Sequence, residues 1–165
     1  MTDGSGSEPR FIADEMLGKL AKWLRTIGYD TVYHNVGEDS ALVQRALEED
    51  RIILTKDTHL VKRKLVRRSI LVESDQPWEQ FRQVVKELSL DVKSKLFTRC
   101  LVCNHLLVSV RKEDVRSRVP LYTYLTQDRF YQCPGCEKIY WSGTHRDNML
   151  RVLTHALLSE SLGDS

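Results

Sequence analysis

Four cysteines constrain this chain more than any other feature. They fall as two pairs, Cys100-x-x-Cys103 and Cys133-x-x-Cys136, and nowhere else. A C-x-x-C turn offers two thiolates on one knuckle, and two knuckles supply the four soft ligands that Zn2+ takes in a tetrahedron. Such a site keeps no open position, so the metal is expected to be structural. It would contribute on the order of 10 kcal/mol to folding a segment with little core of its own. The 29 residues between Cys103 and Cys133 exceed the usual ribbon spacing, which implies a longer hairpin between the knuckles. A redox pair or four unrelated thiols are the alternatives, but a redox pair needs only one motif and opens a helix after a strand. His105 is close to the first knuckle and, with four cysteines available, is expected to be a bystander.

The opening MTDGSGSEPR lacks the apolar stretch of a secretory signal. A reducing, cytoplasmic setting is therefore expected, where thiols stay available to metal, and residues 1–9 read as a disordered tail. At 165 residues the chain has room for one domain, or for a small domain with a metal-stapled appendage. Lys plus Arg total 25 against 23 for Asp plus Glu, a net charge of +2. A histone-like basic field is thereby excluded, though a local basic face is not. No run approaches the ~18 apolar residues of a membrane span, so no membrane partner is expected.

The first half alternates short apolar runs with helical spacing. Residues 11–13, 31–33, 51–55 and 69–72 read as strands. Residues 15–27, 39–47, 58–65 and 77–88 carry one-sided apolar patterns and read as helices, with Gly28 placed as a helix-terminating glycine and Pro77 in a first turn. A βαβαβαβα order implies a parallel sheet flanked by helices, over about residues 10–92. Trp23 and Trp78 fit its core stripes. From residue 93 to 160 the helical period gives way to short stretches around the cysteines. Residues 119–124 and 130–132 read as hairpin strands, and residues 145–158 as a closing helix.

In a parallel sheet every strand ends on one edge, so acids that follow strands converge there. Asp14 and Asp57 each stand just past a strand, Asp39 opens the second crossover helix, and Asp75 follows the fourth strand. Clustered carboxylates repel unless a cation binds them, and oxygen ligands suit Mg2+ or Mn2+, whose bound water hydrolyses phosphodiesters. The competing reading is an N-cap for Asp14, Asp39 or Asp57 and a simple turn for Asp75. Lys56, Lys62, Arg63, Lys64, Arg67 and Arg68 crowd the stretch around Asp57, and Lys19, Lys22 and Arg25 share the first helix. A charge run is commonly a solvated face, but beside an acidic edge it is what a nucleic-acid backbone would need.

The motif running Asp14-Glu15-Met16-Leu17-Gly18-Lys19-Leu20-Ala21-Lys22-Trp23-Leu24-Arg25, followed by Ile27-Gly28-Tyr29-Asp30, resembles the opening of the mut-seven C-terminal RNase domain, a PIN-like nuclease family. The same family is indicated by Ile53-Leu54-Thr55-Lys56-Asp57, by both cysteine pairs, and by Lys138-Ile139-Tyr140-Trp141-Ser142-Gly143-Thr144-His145. The resemblance implies a PIN-like α/β domain, an attached zinc ribbon with a C-terminal helix, and metal-dependent ribonuclease activity. Carried over, Asp14 and Asp57 match two of the family's acids, Asp39 the middle one and Asp75 the fourth. Asp14, Asp39 and Asp57 would hold Mg2+ or Mn2+, while Lys19, Lys56, Lys62, Arg63, Lys64 and Arg67 would contact RNA. A non-catalytic RNA- or ribosome-binding adaptor, using Arg99, Arg111, Lys112, Arg116 and Arg118 on the ribbon, is the alternative. A phospho-acceptor receiver is a third reading, opposed by the lack of a fifth strand ending in lysine.

Overall fold

Three consecutive residues with no solvent exposure, Phe11, Ile12 and Ala13, form the first strand, β1 (Phe11–Ala13). A strand buried on both faces must have layers on both sides, and the rest of this region supplies them. The structure, a computed structural model, describes residues 7–141 and 143–161. The expected disorder of the N-terminal tail falls, for residues 1–6, outside the described residues. The chain divides into two compact units, residues 1–25 with 29–90, and residues 26–28 with 91–165. No helix among the described residues is long and apolar enough to cross a membrane.

In the first unit β1 pairs in parallel with β2 (Thr31–Tyr33) and β3 (Ile52–Thr55), and β3 with β4 (Ser69–Leu71), in the order β2-β1-β3-β4. The connecting helices are α1 (Gly18–Thr26), α2 (Asp39–Glu49) and α3 (Thr58–Val61), with α4 (Pro77–Leu88) after the last strand. Register puts Ile12 between Val32 and Ile53. These three pack with Leu42, Val43 and Ala46 of α2 and Leu60 of α3 in one buried cluster. Each valine, leucine and isoleucine among them contributes roughly 1.5–3 kcal/mol by leaving water. By strand alternation Phe11, Ala13 and Leu54 face the other way. On α1 and α4, Trp23, Trp78 and Phe81 close a ring cluster with centroids 5.1–5.5 Å apart. At the edge where strands begin, buried Arg51 bonds the Phe11 carbonyl and both the Asp30 and Glu49 carboxylates.

Two helices differ from expectation. The first opens with a 3-10 turn, Glu15–Leu17, before α1 begins. The third stops at Val61 rather than near residue 65, because Leu60 is its one buried anchor and Leu65 is exposed, so nothing holds a second turn.

The second unit is built on an antiparallel sheet, β5 (Val108–Val110), β6 (Phe130–Gln132) and β7 (Ile139–Tyr140), in that order. It also carries α5 (Leu121–Thr126) and α6 (Gly143–Ser161). Residues 119–124 are thus not a hairpin strand: β6 pairs with β5 and β7, and this stretch contributes to a short helix. Pro120 sets up the helix start, its carbonyl accepting the Tyr124 N–H at 3.0 Å.

Candidate metal centre and acidic edge

Each cysteine pair folds into the same turn. The Cys100 N–H bonds the His105 carbonyl and the Asn104 N–H returns to the Cys100 carbonyl, both at 2.9 Å; Cys133 repeats this with Lys138 and Glu137 at 3.0 and 2.9 Å. The Cys103 N–H points at Cys100 Sγ and the Cys136 N–H at Cys133 Sγ, each at 3.4 Å. Asn104 and Glu137, the residues after each second cysteine, adopt left-handed φ of 70° and 66°. All four sulfurs lie within 4.8 Å of one another. A tetrahedron with Zn–S bonds of 2.3 Å has edges of about 3.8 Å, and Cys100 and Cys136 are 3.7 Å apart, far beyond a disulfide. The set is positioned to hold a metal ion and is consistent with the structural zinc of a ribbon.

The protein environment acts on two of these thiols in opposite directions. Burial works against the charged form of Cys100, but hydrogen bonds from the Tyr140 hydroxyl, the Cys103 and Val102 N–H groups and Cys136 outweigh it and bring the thiol down to about 6. Cys103, bonded to Cys136 and facing its charge, is pushed up to about 12. Burial and the bond to Cys100 also raise Tyr140. His105 is not a member of the sulfur cluster; its ring lies against Gly135, where an added Cβ would come within 2.7 Å of Nδ1. A side chain at position 135 would therefore displace the His105 ring.

On the parallel sheet, strand order reverses between β1 and β3, the switch point where adjacent connections leave in opposite directions and open a crevice. Asp14 and Asp57 follow these two strands. Asp14 follows β1 with its N–H on the Leu54 carbonyl of β3 at 3.0 Å. Its Oδ1 accepts the Glu15 N–H at 2.8 Å and its Oδ2 the Thr55 hydroxyl at 2.9 Å. The Thr55 Oγ1 in turn accepts the Asp57 N–H at 3.0 Å. Asp57 caps α3, its Oδ1 accepting from His59 at 2.8 Å and Leu60 at 3.4 Å. One buried hydroxyl thus ties the two acids together. Tyr33, ending β2, donates its hydroxyl to the Glu15 carbonyl and lies 3.2 Å from where a Gly18 Cβ would stand.

Asp39 and Asp75 are placed differently. Glu38, not Asp39, is the N-cap of α2, and Asp39 is the first helical residue, its carboxylate 3.9 Å from Arg63. Asp75 is exposed and paired with Lys56. Among the described residues the only group of three or more possible metal ligands within 4.8 Å is the cysteine quartet, so the aspartates are not gathered that closely. The capping expected of Asp14 and Asp57 and their place at the edge coexist in the same side chains.

Of the basic residues, Lys19, Lys22, Lys62, Arg63, Lys64, Arg67 and Arg68 are exposed, whereas Arg25 is buried, its Nε on the Thr31 carbonyl at 2.9 Å. The run from 62 to 68 must return to the edge where β4 begins, so it travels the height of the sheet, about 10 Å. Its end leaves the acidic edge: Arg68 pairs with Asp50 at 3.1 Å, beside the entry to β3, and Arg67 is its neighbour. Two further residues hold the acidic edge in place, Thr55 and Tyr33. For Thr55 the signal was available, since a hydroxyl in an otherwise apolar, fully buried strand needs a partner.

The model of the Mut7-C RNAse domain matches residues 9–153, nearly the whole chain. The chain belongs to the Mut7-C RNAse domain family, in agreement with the resemblance carried by its motifs, and that membership points to a nuclease acting on RNA. Neither the curated proteins nor the solved structures yield a match.

Proposed function

We propose that the chain is a divalent-metal-dependent ribonuclease whose chemistry is centred on Asp14 and Asp57, with Asp39 as a third acid and zinc held by Cys100, Cys103, Cys133 and Cys136. The observation that carries this reading is the Asp14–Thr55–Asp57 arrangement at the switch point of the sheet. Two carboxylates are oriented there by buried and backbone donors. Mg2+ or Mn2+, when bound, would lower the pKa of a coordinated water and offset charge on the phosphate. The protein's part is positional. Thr55 and the Glu15 N–H orient Asp14, while Asp57 spends Oδ1 on its helix and keeps Oδ2 for a ligand. Lys19, Lys62, Arg63 and Lys64 would receive the RNA backbone, with Arg67 further along the run. Lys56 is joined to Asp75, which makes that acid a partner for the lysine before it is a ligand.

Cleavage of single-stranded RNA with and without Mn2+ tests the reading, comparing the wild type with Asp14→Asn and Asp57→Asn. Metal-dependent cleavage lost in both variants supports it. Equal cleavage by all three would assign the activity to a contaminant, and salt-sensitive RNA binding without turnover would favour an adaptor.

A further inference from the structure

We propose that the second unit captures one unstacked base of a single-stranded RNA in an aromatic cavity beside the cysteine cluster. The proposal rests on RNA being the substrate. The cavity has a volume of about 240 Å3, and Phe97, Arg99, Tyr131, Tyr140, Trp141 and Met149 line it. The space is partly open to solvent and its lining is mainly apolar, the form of concave site that a small ligand occupies. It is smaller than the roughly 300–1,000 Å3 of drug-sized sites, which suits a single planar heterocycle and excludes a peptide helix.

The lining is held in place before any ligand arrives. The Tyr140 hydroxyl bonds Cys100 Sγ at 3.1 Å and accepts the Leu101 N–H at 3.2 Å, so the metal knuckle anchors the end of that ring. Trp141 leans on buried Phe130 with ring centroids 6.3 Å apart. Phe97 takes a left-handed φ of 61°, an outlier for a bulky side chain, and its N–H bonds the Thr26 carbonyl at 2.9 Å. The Arg99 guanidinium is fixed on the Gly28 and Asn104 carbonyls at 3.1 and 2.9 Å, which holds a flat cation against the space.

Charge selects the occupant. Among the described residues that line the cavity there is no acid, Arg99 contributes a cation, and the Lys138 ammonium stands 5.3 Å from the Tyr140 ring centroid. Rings for a base and cations for the flanking phosphate are the combination by which proteins hold single strands, whatever the sequence. A base inside a duplex is already stacked and cannot enter. The cavity would therefore read strandedness rather than sequence.

The test uses the zinc-loaded full chain without Mg2+ or Mn2+, so that RNA is not cut. Fluorescence anisotropy compares a labelled oligouridine, an abasic oligomer of the same length, and the oligouridine annealed to oligoadenosine. The wild type should bind oligouridine about tenfold more tightly than either control. Trp141→Ala should erase that preference while leaving abasic binding unchanged. Equal binding of oligouridine and the abasic strand, or a preference that survives in Trp141→Ala, would overturn the proposal. Should Trp141→Ala lose its zinc, photocrosslinking of a 4-thiouridine strand to the wild type decides instead. Crosslinks at Tyr131, Tyr140, Trp141 or Met149 support the cavity, and crosslinks confined to residues 10–90 reject it. Absence of all RNA binding would overturn the ribonuclease reading as well, whereas RNA binding without base preference removes only the cavity.

Discussion

The two units hold themselves together by different means. In the first, the strands are apolar on both faces: every residue of β1 and β3 is buried, and helices cover both sides. In the second, β5 is mostly exposed and α5 buries nothing, while the buried set includes two of the cysteines themselves, Cys100 and Cys133. Where apolar residues are plentiful the chain folds by excluding water. Where they are sparse, four sulfurs converge and a metal can supply the missing cohesion. The candidate chemistry is divided accordingly, since the acids stand on the unit whose backbone is rigid without a ligand.

This contrast can be broken by experiment. The largest effect is expected from Cys133→Ser or from stripping the metal, at a cost on the order of 10 kcal/mol confined to the second unit. Hydrogen exchange should show residues 91–141 losing protection while β1 and β3 keep theirs; loss in both units would erase the distinction. Phe81→Ala should do the converse. It removes a fully buried ring and should cost about 3–5 kcal/mol in thermal unfolding of the first unit, with one metal per chain still found by elemental analysis.

Thr55→Val sharpens the comparison at the acidic edge. Loss of the hydroxyl that orients Asp14 should lower cleavage about 10–100-fold and raise the Mn2+ requirement, and Thr55→Ser should restore both. Unchanged metal dependence would mean that Asp14 needs no such support. The smallest effect belongs to Asp75→Asn. An exposed ion pair is worth about 0.2–1 kcal/mol, so melting should shift little and cleavage no more than about threefold. A collapse of activity there would promote Asp75 to a ligand.

Much of the first unit was legible because its signals are local. Continuous apolar runs at residues 11–13 and 52–55, one-sided helices and the terminating Gly28 each act within a few residues. The four-cysteine set was legible for a different reason, since its ligand spacing is a chemical requirement. Other features depend on distant partners. Thr55 acquires its role only when β3 pairs with β1, 41 residues away from Asp14 in the chain. The helix α5 was hidden because Val119, Leu121 and Tyr124 resemble strand residues, and Pro120 outweighed them. Strands β5 and β7 have three and two residues, too short for a period to register. The cap of α2 passed to Glu38, one residue before Asp39, whose carboxylate lies 3.9 Å from Arg63 of a segment 24 residues further on.

The basic run from Lys62 to Arg68 has a consequence unrelated to RNA. Strand β4 is an edge of the parallel sheet, and Leu71 on it is partly open to solvent. On its outer side the Leu71 carbonyl and the Glu73 N–H are taken by the Gln83 side-chain amide at 2.9 and 3.0 Å, and lysine and arginine at the border of an edge strand repel the matching strand of another molecule. The charges that lead into β4 would therefore add repulsion to an edge that Gln83 already covers in part. Neutralising Lys64, Arg67 and Arg68 together should be visible as self-association in light scattering, before any change in the fold.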